Sequence, residues 1–307
     1  MIRNLHLHLI LIVLLAACSL ADTQSETETT AVNQLSLDRI SVIGASASAG
    51  FGVVLRYEDE NQRKKYQPIT LNDIVEATID HEEMIVSVGG SGGFFWNPVQ
   101  IGSTQKSEAS EAKPTLVLAI DYLFWYGYGS RDRSGNPMPR GSNNSRSRLE
   151  LLNIALENLE TFECPVILGD FPDVSDAVGR MLSPNQIPNP ETLKMLNARV
   201  NEWAAEHPNV ILLPLHRLME HLRSNDAFEA GKQNWPAGSK SRFMQNDNLH
   251  PRLEGLIVLL QEAAMAYQDR HPEHAWPMEL NLEHNRQKIY EAHRPEGCTS
   301  APYEHDD

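Results

Sequence analysis

Cysteine is scarce in this chain: 307 residues carry three, at positions 18, 164 and 298. So few, so widely spaced, exclude a dense disulfide framework and form no metal-binding cysteine cluster. One pairing, Cys164 with Cys298, stays open for an oxidising compartment, as does simple burial of Cys164 at the head of an apolar strand. Positive charge is short as well. Lys and Arg number 26 against 41 Asp and Glu, a formal net charge of -15. Nucleic-acid phosphates demand Lys/Arg surfaces, so nucleic acid is excluded as a partner. The apolar run at residues 9–17 is too short to span a bilayer. There is no internal repeat, and the chain beyond its first few dozen residues fits one large domain.

What is present begins with an address. Met1-Ile2-Arg3 followed by the apolar run reads as a secretory signal. Its end, Leu15-Ala16-Ala17-Cys18, resembles the lipobox of bacterial lipoproteins. The resemblance implies removal of residues 1–17, lipidation of Cys18, and an exported protein held to the membrane of the cell envelope by that anchor. Cleavage after Ser19-Leu20-Ala21, giving a soluble secreted protein, is the alternative. Residues 18–35, rich in Ser, Thr, Glu and Gln, read as a flexible tether. A folded domain is expected over 36–269, and a polar extension, partly helical near 280–290, over 270–307.

Five apolar runs, at residues 39–44, 84–88, 115–120, 165–169 and 210–213, have the continuous apolar character of parallel strands buried on both faces. Helical patterns separate them. Leu149, Leu152, Leu156 and Leu159 recur at helical spacing, with Ser147-x-x-Glu150 as an expected capping box. Asn189-Pro190-Glu191 opens another helix, and a third runs from Pro251 to about Tyr267. The alternation predicts an α/β fold, a three-layer α/β/α sandwich around a five-stranded parallel sheet, flavodoxin-like. Sites in such folds lie at the C-terminal ends of the strands.

Chemistry-bearing residues fall at those ends. Ser46 follows the first strand, Gly89-Gly90-Ser91-Gly92-Gly93 the second, and Asp121 the third. Asp247-Asn248-Leu249-His250 lies on a short turn before the last helix. An Asp three residues before a His can fix the imidazole's tautomer and support it as a general base. A nucleophile, backbone donors and a supported base are what acyl transfer requires.

From about residue 39 to 268 these blocks resemble the SGNH (GDSL-type) serine hydrolases. Gly44-Ala45-Ser46 is similar to the family's G-D-S block with alanine replacing aspartate, and Asp247-x-x-His250 to its D-x-x-H block. The resemblance implies a catalytic set of Ser46, Asp247 and His250, with oxyanion donors at the N–H groups of Ser46 and Gly92. Asp121 stands where the family carries an asparagine that also donates to the oxyanion. A carboxylate there would repel the developing charge, so it is protonated in a dry pocket, or it turns away while another donor takes over, or hydrolysis is feeble.

The implied reaction is hydrolysis of a carboxylic ester, acyl or acetyl, on a small molecule or polysaccharide, with no cofactor and no metal. A catalytically weak binding or scaffolding lipoprotein of the same fold, and an O-acyltransferase acting on a polysaccharide, are the alternatives. Phe51, Phe94, Trp96, Phe124 and Trp125 follow the same strand ends and are expected to line the substrate pocket. Asp170 and Asp173 read as a strand-to-loop turn, and the dispersed His271, His274, His284 and His293 as solvent-facing. The arginines at 131, 133, 140, 146 and 148 read as a solvated loop and helix start.

Overall fold

The computed structural model describes residues 37–79, 85–87, 93–274 and 276–298. The expected signal peptide, the tether with Cys18, and Ser91-Gly92 lie outside the described residues. Five parallel strands form the central sheet: β1 (Arg39–Val42), β2 (Ile85–Ser87), β3 (Leu116–Ala119), β4 (Val166–Gly169) and β5 (Val210–Leu213). Their order is β2-β1-β3-β4-β5. β3 and β4 are buried at every position, as the unbroken apolar runs require.

The expected α/β/α architecture is what is found. Strand order dictates the layers, because each crossover between parallel strands is right-handed. The chain moves one way from β1 to β2 and the opposite way through β3, β4 and β5. The first crossover, through α1 (Leu71–Thr78), therefore covers one face of the sheet. The later ones, through α2 (Pro98–Glu111), α4 (Ser142–Leu159) and α5 (Pro190–Glu206), cover the other. The short α3 (Phe124–Tyr128) packs against α4, and α4 against both α2 and α5. After β5 come α6 (Leu215–Ser224), a small hairpin, α7 (Lys240–Phe243) and α8 (Leu253–Arg270), the last packing on β5 and α1. The α8 stripe of Leu253, Leu256, Ile257, Leu260 and Ala264 is buried, as its spacing implies.

Several boundaries depart from expectation. The helix expected to start at a Ser147/Glu150 box begins five residues earlier, at Ser142, with Gly141 as its uncapped N-terminal flank. Ser147 and Glu150 are therefore interior, and no capping box forms. What holds that end is Arg148, fully buried, which donates to the carbonyls of Gly127, Gly129 and Asn185 and to the Asn144 side chain. It satisfies a loop that would otherwise bury bare carbonyls, and burial lowers its pKa to about 10. Two hairpins lie outside the sequence expectation: residues 54–58 with 64–68, and 228–230 with 233–235. Asn189 caps α5 by accepting from the Thr192 N–H, with Pro190 at the first helical position, as its sequence signals.

Residues 276–298 join the same core. Helix α9 (Leu282–Ala292) packs on α1 and α8 and buries Leu282, Ile289 and Tyr290. The Tyr57 hydroxyl, on the first hairpin, donates to the Tyr290 carbonyl at 2.8 Å. Cys298 is buried and bridges Asp59 of that hairpin through the backbone, and Cys164 and Cys298 are both free thiols. Burial raises the Cys164 pKa to about 11. Ile289 has no exposed surface. Ile289→Ala should therefore cost about 2–5 kcal/mol of stability, seen as a lower urea midpoint in circular dichroism. An unchanged midpoint would mean that α9 contributes nothing to the fold.

Candidate active site

The switch in strand order falls between β1 and β3, where their C-terminal ends open a crevice. The turn after β1 carries Ser46. Three backbone bonds close it: Ala49 N–H to the Ala45 carbonyl, Gly50 N–H to Ala47, and Phe51 N–H to Ser46, at 2.9–3.0 Å.

Asp121, from the end of β3, holds this turn from below. The N–H groups of Ala45, Ala47 and Ser48 donate to its two oxygens at 2.9, 2.8 and 3.2 Å, and the Ser48 hydroxyl at 2.5 Å. Asp121 is thus an acceptor engaged by four donors and has nothing to give an oxyanion, which corrects its expected place in the oxyanion hole. The physical reason is that a carboxylate has only acceptor sites, and the turn presents it with N–H groups. The N–H of Ser46 escapes this brace; among the described residues it meets no acceptor. Space forces Gly44 beneath it. A Cβ there would lie 2.1 Å from Asp121 Oδ1 and 2.4 Å from Ser48 Oγ.

A second clamp comes from α2. Buried Gln105 accepts from the Gly44 N–H at 3.1 Å and donates to the Gly44 carbonyl at 2.9 Å. It completes the strand-end pairing that the turn interrupts.

The Asp247–His250 turn stands across the crevice. Asp247 Oδ1 accepts from the N–H groups of Leu249 and His250 at 2.8 and 3.0 Å, and its Oδ2 lies 2.7 Å from His250 Nδ1. Asn248 takes the left-handed conformation, φ 58°, which asparagine tolerates better than most residues. His250 Nε2 lies 2.9 Å from Ser46 Oγ. Burial pushes the Asp247 carboxyl up, but hydrogen bonds from the His250 side chain and from the His250 and Leu249 N–H groups outweigh it and hold it below the usual range. Gln245 ties the two turns together, donating to the Phe51 carbonyl at 2.6 Å and to that of Pro251 at 2.9 Å. Phe51 lies against the imidazole, ring centroids 4.3 Å apart.

An apolar cavity opens beside Ser46 and His250. Of the five aromatic residues expected to line a pocket, Phe124 alone does so. Phe51 covers His250 instead. Phe94 is buried edge-on against Tyr122 and Tyr126. Trp96 is 70% exposed beside Phe95, and Trp125 is buried between Phe95 and Phe124. Residues near one another in sequence left these strand ends in different directions, and the cavity walls come from α6, from the segments after β3 and β4, and from the residues around the Asp247–His250 turn.

The other titratable groups have partners of their own. Asp170 pairs with His216, accepting from its N–H at 2.8 Å and meeting its Nδ1, while Asp173 pairs with Arg223. Among the described residues no group of three or more His, Cys, Asp or Glu could hold a metal ion. Gly92, the second expected oxyanion donor, lies outside the described residues.

No family model matches the chain, and no curated protein matches it in sequence. Among solved structures it is similar to an acetylxylan esterase from Geobacillus stearothermophilus in a catalytic-mutant form, at 14% identity over 76% of this chain and 93% of that one, TM-score 0.42. A family 3 carbohydrate esterase from Clostridium thermocellum is similar at 14% identity, 76% and 95% coverage, and a TM-score of 0.38. A gut microbial diltiazem-metabolizing enzyme is similar at 13% identity and a TM-score of 0.45; 75% of this chain spans 45% of that longer one. At such values the chemistry rests on this chain's own side chains.

Asp121→Asn separates a brace from an oxyanion donor. An amide offers one acceptor oxygen where the turn needs two, so the Ser46 turn loosens and kcat/KM on p-nitrophenyl butyrate should fall about 10–100-fold. A rise in activity would restore residue 121 to the oxyanion hole.

Proposed function

We propose that the chain is a serine hydrolase of the SGNH (GDSL) type that cleaves a carboxylic ester. The observation that carries this reading is the unbroken run Ser46 Oγ–His250 Nε2, His250 Nδ1–Asp247 Oδ2, at 2.9 and 2.7 Å. Asp247 keeps the proton of the neutral imidazole on Nδ1 and leaves Nε2 free to accept. His250 takes the Ser46 hydroxyl proton as Oγ attacks the ester carbonyl. The tetrahedral oxyanion meets the Ser46 N–H, which the Asp121 brace does not engage, and on the family resemblance the N–H of Gly92. His250 then gives its proton to the departing alkoxide, leaving an acyl-Ser46. Water, losing a proton to His250, adds to that acyl group. Breakdown expels Ser46 Oγ, which recovers the proton, and releases the carboxylic acid.

The depressed Asp247 pKa gives the pair a direction in pH. A carboxylate held below its unfolded value contributes stability that is fully present above that value and is lost as pH falls through the folded one. The support of His250 is therefore intact at neutral pH and fails only in acid.

A fluorophosphonate probe, with Ser46→Ala, His250→Ala and Asp247→Asn as comparisons, tests the reading. The unaltered protein should form an adduct at Ser46 and hydrolyse p-nitrophenyl butyrate. Asp247→Asn, which removes the tautomer control, should lower kcat on the order of 10³–10⁴-fold. Turnover undiminished in both Ser46→Ala and His250→Ala would end the proposal.

We further infer, from the Leu15-Ala16-Ala17-Cys18 pattern, that the protein is exported and held at the envelope by a lipid on Cys18. Expressed in a bacterial host, the chain should sediment with membranes and take up labelled fatty acid. Cys18→Ser should abolish the label; retained labelling would refute the anchor.

A further inference from the structure

Resting on the ester-hydrolase reading, we propose that the cavity beside Ser46 receives the aliphatic chain of a medium-length acyl group, and that α6 sets its length limit. Ser46 and His250 are part of the cavity wall. The same wall carries Leu215, Leu218, Met219 and Leu222 of α6, with Phe243 and Leu259. These four α6 positions fall at i, i+3, i+4 and i+7, one face of the helix. Seven residues of helix rise about 10 Å, the reach of about eight bonds of an extended zigzag chain, which advances about 1.2 Å per bond. About 100 Å³ of the cavity is wide enough for the centre of a water molecule, where one water needs only about 10–15 Å³. An acetyl group would leave most of it unfilled.

The polar content of the wall excludes a sugar as occupant. Asp121 and Asp170 are the carboxylates that border the cavity. Asp121 is engaged by the Ser46 turn. Asp170 is 5% exposed, with Oδ1 accepting from the His216 N–H and Oδ2 meeting His216 Nδ1. Both carboxylates are committed to partners of their own. A sugar hydroxyl sunk among leucines would lose water without gaining a partner, whereas each methylene gains from burial. The alcohol side of the ester must then leave toward solvent, past half-exposed Phe51.

The full chain should be assayed on p-nitrophenyl acetate, butyrate, hexanoate, octanoate, decanoate and dodecanoate. We expect kcat/KM to rise about fourfold per added methylene up to about eight carbons, then to level. Met219→Trp, which fills the groove, should bring the octanoate-to-acetate ratio down toward one. Leu222→Ala should move the optimum to longer chains, an outcome of opposite sign that does not depend on the tryptophan being accommodated. Octanoate binding to Ser46→Ala, followed by calorimetry, gives a readout without turnover and should vanish in Ser46→Ala/Met219→Trp. A profile flat or falling from acetate, with Ser46-dependent hydrolysis and no octanoate binding, overturns the pocket and leaves the hydrolase standing. Absence of any Ser46 adduct or hydrolysis removes the hydrolase reading and this proposal with it.

Discussion

The arrangement depends on one carboxylate at the end of the third sheet strand. Asp121 collects three N–H groups and a hydroxyl from the turn after the first strand. A tight turn of small residues has little side-chain packing to hold it, and its backbone donors must be satisfied somewhere. Asp121 satisfies those of Ala45, Ala47 and Ser48 and omits that of Ser46. This selectivity has a structural cost in permitted sequence: residue 44 must be glycine, because any side chain would occupy the space of the brace. It also accounts for an alanine at position 45, whose partner in the brace is a backbone N–H and asks nothing of its side chain.

The strand content was legible because it rests on the coarsest signal, continuous apolar runs buried on both faces. All five sheet strands lie within the expected ranges, trimmed by at most two residues at either end. The Ser46 and Asp247–His250 turns were legible because their chemistry is local or carried by a short motif. Asp121 was legible as a position while its role stayed open, since a motif records which residue occupies a place and not which way its side chain turns.

What escaped was long-range and backbone-directed. Gln105 and Gln245 act on carbonyls and N–H groups up to 194 residues away, and nothing distinguishes such glutamines from solvent-facing ones. The hairpin at 54–58 and 64–68 escaped because its second strand is largely exposed and carries two lysines. The α6 stripe has helical spacing, yet an apolar stripe reads as core whether it faces another helix or an open cavity. The expected aromatic pocket erred by treating sequence proximity as shared direction, which a short 3₁₀ turn at Phe94–Trp96 is enough to break.

The Tyr57–Tyr290 hydrogen bond has a consequence for how the molecule comes into being. It joins positions 233 residues apart, and Ser46 meets His250 across 204. Contacts of such span are formed late, because the entropy of closing the intervening chain precedes any gain from them. On the proposed reading, the serine is then an ordinary hydroxyl until residue 250 has been made and its turn has docked across the crevice. A nascent chain would carry the nucleophile without its base and be chemically silent.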